Sequence, residues 1–119
     1  MAYAAEQGAL ASYLEEFEVT LVCLNGTGKG SRFKLERERI TLGTAPGATL
    51  LLDAPGVARE HAVIEFWGAC FVLREIDPTR PVTLNGVPCR CRELRDGDRF
   101  DLGEQSFEFQ LSSTGLAAG

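Results

Sequence analysis

The pattern that most constrains this chain is an alternation of apolar and polar residues with period two, cut every few residues by turn formers. It begins at "EVTLVCL", where Val19, Leu21 and Cys23 share one face and Thr20, Val22 and Leu24 the other. Successive strand side chains point to opposite faces, so this alternation marks a strand with one buried side. The runs "SRFKL", "RITLG", "ATLLL", "HAVIEF", "CFVLREI", "PVTL", "VPCR", "DRFDL" and "SFEFQL" follow. Between them lie "NGTGKG", "APGA", "DAPG", "WG", "DPTRP", "NG" and "DGD", whose Gly, Pro, Asn and Asp supply turn dihedrals. Short strands at this spacing predict an all-β fold, an antiparallel β-sandwich of about ten to eleven strands. Leu21, Ile64, Phe71, Leu73 and Phe107 take inward positions in it. Asn85-Gly86 predicts a type I′ hairpin, whose two central residues both need positive φ.

The first residues follow another rule. In "EQGALASYLEEFE", Leu10, Tyr13, Leu14 and Phe17 fall at helical spacing and form one stripe. Glu15, Glu16 and Glu18 crowd the end where the macrodipole disfavours anions. So short a helix is marginal alone and needs a docking surface, on this domain or on a second chain as a homo-oligomer contact. The expected organisation is an amphipathic segment over residues 1–17, a sandwich over 18–111 and a flexible tail over 112–119.

Several function classes fall away. The net charge is −5, from 12 basic and 17 acidic residues, which opposes nucleic-acid binding but leaves room for a local basic patch. No apolar run approaches the ~18 residues of a membrane span, and no signal-peptide pattern opens the chain, so the expectation is a cytosolic protein or the cytosolic part of a larger one. Cys23 and Cys70 sit in apolar strand patterns, and only Cys89 and Cys91 are close. The four are expected as reduced packing or strand residues, with no metal and no cofactor. "NGTGKG" lacks the spacing of a nucleotide loop and leads into a strand, so it reads as a hairpin. His61 is the single histidine, and no nucleophile, base and orienter set can be assembled around it, so no enzyme is expected. Trp67, before Gly68 in a turn, is expected to pack at the sandwich edge.

The order of the pieces then becomes informative. "ITLGT", "LLLD", "VAREHAVIEF", "FVLREID", "VTLNGVPC" and "LRDGDRFDLGEQSFEF" together resemble the forkhead-associated (FHA) domain over roughly residues 18–111. That resemblance implies a β-sandwich whose loops at one end bind phosphothreonine peptides. The family pattern carries Gly-Arg after the third strand, Ser-Arg-x-His before the fifth and an Asn after the sixth. Here Gly43 is followed by Thr44, the second motif reads Ala58-Arg59-Glu60-His61, and the shortened sixth-strand loop offers Thr79 and Arg80. His61 would brace the loops, as the family's histidine does, and Asn85 matches its hairpin Asn-Gly.

The phosphate arginine, the phosphate serine and the clamping Asn are therefore all replaced. Hydrogen bonds to a charged group are worth about 1.5–3 kcal/mol each, so losing two or three takes a micromolar site to about millimolar or worse. The expected function is a phospho-independent protein-interaction domain for bacterial signalling or scaffold assembly. FHA-like domains without the phosphate residues also occur in the cytosolic part of type III secretion ring proteins, and the replaced Gly-Arg resembles that subgroup. The alternative keeps phosphopeptide binding through a rebuilt basic pocket of Arg59 and Arg80, with Thr44 and Thr79. Arg80, on an exposed loop, is the stronger contact candidate.

Overall fold

The computed structural model describes residues 2–114, with side chains from residue 8 onward. One helix precedes eleven strands: α1 (Ala2–Glu16), β1 (Phe17–Cys23), β2 (Arg32–Lys34), β3 (Arg39–Gly43), β4 (Leu50–Leu51), β5 (Ala62–Phe66), β6 (Phe71–Glu75), β7 (Val82–Leu84), β8 (Val87–Cys89), β9 (Cys91–Glu93), β10 (Arg99–Leu102) and β11 (Gln105–Ser113). They form a two-sheet sandwich. One sheet has the order β2-β1-β11-β10-β7-β8 and the other β4-β3-β5-β6-β9.

The inward positions that alternation marks are buried in β1, β3, β5, β6, β7, β10 and β11. Leu21, Ile64, Phe71, Leu73, Phe100, Phe107 and Phe109 are buried between the sheets. On the outer face of the five-stranded sheet, Val63 and Val72 are also buried, outside that core cluster. Polar side chains lie across this face. Glu65 accepts two hydrogen bonds from Arg74 (Nε at 3.1 Å, Nη2 at 3.0 Å), and Arg39 stands 3.8 Å away. The Arg74 guanidinium holds the Glu65 carboxyl below the usual carboxylate range. Asn85 and Gly86 have φ of 52° and 82°, the positive pair that a type I′ turn between β7 and β8 requires.

Several sequence expectations need correcting. β9 is a strand that alternation did not reveal, since all three of its residues are exposed. "ATLLL" shrinks to two paired residues, and these run parallel to β3, the one parallel pairing among the described strands. Cys70 lies in the turn before β6 rather than inside a strand, and is half-buried. Trp67 is 56% exposed instead of packed, its indole N–H donating to Glu65 Oε1 at 3.3 Å. β11 continues through Ser113, because Phe17 pairs with Ser113 at its far end. The rest of the expected tail, residues 115–119, lies outside the described residues.

The helical stripe lies against the chain's own core. Leu10 is buried, and Tyr13, Leu14 and Phe17 pack partly buried against it. The Tyr13 ring stands 4.8 Å from Phe17, 5.1 Å from Phe66 and 5.9 Å from Phe71 between centroids. Burial raises its phenol pKa above the ordinary value. The helix ends without a basic residue in its last turn, and Thr114 closes it instead. Its amide donates to the Glu16 carbonyl at 2.9 Å and its hydroxyl to the Glu15 carbonyl at 2.7 Å, satisfying acceptors the helix leaves free.

Candidate functional site

Strand directions bring six connections to the end of the sandwich opposite α1. These are the β1–β2, β3–β4, β4–β5, β6–β7, β8–β9 and β10–β11 links. Gly43 is where the β3–β4 and β4–β5 loops meet. A Cβ there would fall on the Arg59 carbonyl oxygen, 2.7 Å from the carbonyl carbon and 2.9 Å from the Ala58 oxygen. Only a glycine lets the β4–β5 loop cross the end of β3 this closely. Around it, the Thr44 amide donates to Ala58 O (3.1 Å), the Ala45 amide to Arg59 O (3.1 Å) and the His61 amide to Leu42 O (3.0 Å).

His61 is fully buried and joins the next pair of loops. The Ala58 amide donates to Nδ1 at 3.0 Å, so Nδ1 is an acceptor and the ring proton sits on Nε2, which faces the Pro81 carbonyl at 3.2 Å. One imidazole thus links β4–β5 to β6–β7. Pro55 O accepts from the Glu104 amide at 3.0 Å, linking β4–β5 to the β10–β11 turn as well. Asn25 completes the ring of loops. Its Nδ2 donates to Glu104 O (2.8 Å), and its Oδ1 accepts from the Ser106 amide (3.0 Å) and from Gln105 Nε2 (3.1 Å).

The side chains on this frame are less well equipped. Thr44 and Ala58 meet through their backbones, and neither brings a cation. The Thr79 hydroxyl donates to Asp77 Oδ1 at 2.6 Å and its amide to the same oxygen at 2.9 Å. These bonds, the hydroxyl first, lower the Asp77 pKa below its ordinary value. The Asp-Pro-Thr order is the signal of an Asx turn, so this self-closure is legible in the sequence. Arg80 is exposed, and its amide closes the same turn onto Asp77 O at 3.1 Å. Neither Arg59 nor Arg80 belongs to an ion pair within 4.0 Å among the described residues.

Beside the loops, Arg59 and Glu60 line a cleft of about 250 Å³ with Arg39, Thr41, Leu42, Ala45, Ala48, Ala62 and Ile76. Arg39 and Thr41 were not foreseen as site residues, because sequence alone does not tell which strand end abuts the cleft. Asn85 lies elsewhere. It is at the opposite end of the sandwich, bonded to Asp98 Oδ1 and to the Arg99 amide, where it braces the β7 turn to the β9–β10 connection. Among the described residues no group of His, Cys, Asp and Glu is arranged to hold a metal, and all four cysteines are free thiols.

With this geometry the chain can be set beside known proteins. Residues 22–113 match the family described as the inner membrane component of T3SS, cytoplasmic domain. The chain belongs to this family. It is also an FHA-type domain by its relatives. The oxoglutarate dehydrogenase inhibitor of Corynebacterium jeikeium is 29% identical over 91 residues, covering 76% of this chain and 63% of that protein. The glycogen accumulation regulator GarA of Mycolicibacterium smegmatis is 28% identical over 105 residues, 87% of this chain and 66% of that one. The chain therefore spans just under two thirds of the length of these two curated relatives. An FHA structure from work on phosphothreonine-dependent FHA domain interactions superposes with a TM-score of 0.71 at 28% identity, covering 78% of this chain and 95% of its own. FHA-type domains of this kind mediate protein–protein interaction in signalling. No helix among the described residues is long and apolar enough to cross a membrane.

Proposed function

We propose that this domain binds a protein partner at its loop end without requiring phosphothreonine, as an assembly or signalling module on the cytosolic side. One observation carries the reading: Thr44 and Ala58 meet across Gly43 on an intact backbone frame, where the family pattern would set an arginine and a serine. Thr79, at the third position, has its hydroxyl committed to Asp77. A phosphate dianion would find neither the bidentate guanidinium nor the clamp. Contact then rests on the shape of the loop end with Arg59 and Arg80 at its rim. The family description makes a type III secretion assembly protein a fitting context.

Catalysis is absent from this reading, because the only histidine is buried with both ring nitrogens engaged. Cofactors and nucleic acid play no part in it either. Leu10, Tyr13, Leu14 and Phe17 pack against the chain's own core, so this reading rests on the loops rather than on a homo-oligomer built through that stripe. Calorimetry with matched phosphorylated and unphosphorylated threonine peptides tests the proposal. We expect no phosphothreonine-dependent affinity tighter than about 100 µM, about −5.5 kcal/mol. A partner held only when phosphorylated, and released by Arg59→Ala or Arg80→Ala, would instead establish the rebuilt pocket.

A further inference from the structure

A second surface, independent of the loop end, lies where the two sheets stop on one side of the sandwich. β2 ends the six-stranded sheet and β4 the five-stranded one. Between them runs a groove of about 280 Å³ lined by Phe33, Leu35, Ile40 and Leu50 with Lys34, Glu36 and Arg37. Phe33 is 38% exposed there, one of four large apolar side chains left open among the described residues.

The backbone of β2 is half used. The Leu35 amide donates to Val19 O and Ser31 O accepts from Cys23, so the odd-numbered residues face β1. In an antiparallel ladder the groups of Arg32 and Lys34 then point outward, ready for one more strand. Their side chains share the sheet's outer face, where Arg32 Nη2 donates to Gln110 Oε1 at 2.7 Å. Charge singles out this segment as well. Residues 29–38, which precede β3, hold four basic residues (Lys29, Arg32, Lys34, Arg37) against Glu36 and Glu38, a local +2 on a chain of net −5.

We propose that the β2 edge docks an extended segment of a partner protein that alternates acidic and apolar residues. An added strand presents alternate side chains to opposite faces. One set would meet Arg32 and Lys34 on the outer face, and the other would enter the apolar groove beside Phe33. Acidic residues suit the first position and small apolar ones the second. A second copy of this chain does not fit, since β2 paired on β2 brings Arg32 and Lys34 against the same cations.

The test titrates the ¹⁵N-labelled full chain with acetyl-Glu-Val-Glu-Val-Glu-amide and its Gln and Lys counterparts. The acidic peptide should perturb amides of residues 32–35 and 50–51, leave those of Thr44, Ala58, Arg59, Thr79 and Arg80 unshifted, and weaken as salt rises. Reversing charge in Arg32→Glu/Lys34→Glu should reduce its affinity about tenfold, about 1.4 kcal/mol, with the remaining spectrum preserved. Phe33→Ser should weaken it with the charges intact. No shift at about 5 mM peptide, equal shifts from all three peptides, or shifts confined to the loop end would overturn the proposal. So would a concentration-dependent dimer that uses β2. None of these outcomes bears on phosphothreonine independence, which the loop-end calorimetry decides separately.

Discussion

Replacing Gly43 by alanine adds one methyl group at the point where the loop end is built. That carbon would overlap the Arg59 carbonyl and crowd the Ala58 oxygen at 2.9 Å, and both obstacles are backbone, which no rotamer change can move. The β4–β5 loop must lift. Lifting it stretches three hydrogen bonds, from Thr44 to Ala58, Ala45 to Arg59 and His61 to Leu42. At about 0.5–1.5 kcal/mol net for each bond, with about 1–3 kcal/mol for overpacking, the expected loss is roughly 3–5 kcal/mol. In a domain of this size that corresponds to about 10–20 °C in Tm. Urea unfolding followed by fluorescence and circular dichroism measures it, with Gly47→Ala as the control. Gly47 is on the neighbouring loop with no atom within 4 Å of an added Cβ, so its variant should stay within about 0.5 kcal/mol of the parent. If Gly43→Ala costs less than about 1 kcal/mol, or no more than the control, the close crossing of β3 by the Arg59 carbonyl is wrong.

Three further outcomes are expected. His61→Ala should destabilise by about 2–4 kcal/mol, because it leaves a cavity and strips partners from the Ala58 amide and the Pro81 carbonyl; calorimetric melting checks it. Glu65→Gln weakens the bond to Arg74 and should cost about 1 kcal/mol at neutral pH, as suits a partly exposed pair. The folded Glu65 pKa is depressed, so its contribution is present above the ordinary value of 4.5 and lost as pH falls through the folded value. Urea midpoints of parent and variant should therefore converge in acid and run parallel above about pH 5. Among the thiols, a maleimide should reach exposed Cys91 first and buried Cys23 last, with Cys70 and Cys89 slowed by burial that raises their pKa; mass mapping reads the order.

The strands that sequence revealed were those with one buried face, because burial is what writes alternation into a sequence. β1, β10 and β11 carry it with their inward residues buried between the sheets, while β5 and β6 bury Val63 and Val72 on the outer face as well. β9 carries none, being exposed at all three positions, and is held as a strand by pairing with β6. β4 was overextended for the opposite reason. Three consecutive leucines read as a strand, yet Leu52 already serves the core of the loop beyond it, its amide on Gly43 O at 2.8 Å. Trp67 shows a further limit. An aromatic ring in a turn reads as packing, whereas here the indole is held outside by Glu65, whose geometry depends on Arg74 nine residues later.

At the loop end, the groups that make the frame and the groups that would read a ligand are physically separate. The frame consists of backbone bonds around Gly43, the buried imidazole of His61, and Asn25 joined to the β10–β11 turn. Each removes a buried or crossing polar group from an unsatisfied state, so each stabilises the fold and cannot be exchanged cheaply. In the proposed reading the readers would be side chains at Thr44, Ala58, Arg59, Thr79 and Arg80. Thr44 is half-buried, Arg59, Thr79 and Arg80 are exposed, and their bonds are local to the loops or absent. Changing such residues costs the fold about 0.5 kcal/mol or less, while changing a charge at a binding site costs several times that in affinity. The same sandwich can therefore lose a phosphate site without losing its loop end. A frame still intact beneath altered readers is what a domain that keeps binding proteins by other chemistry requires.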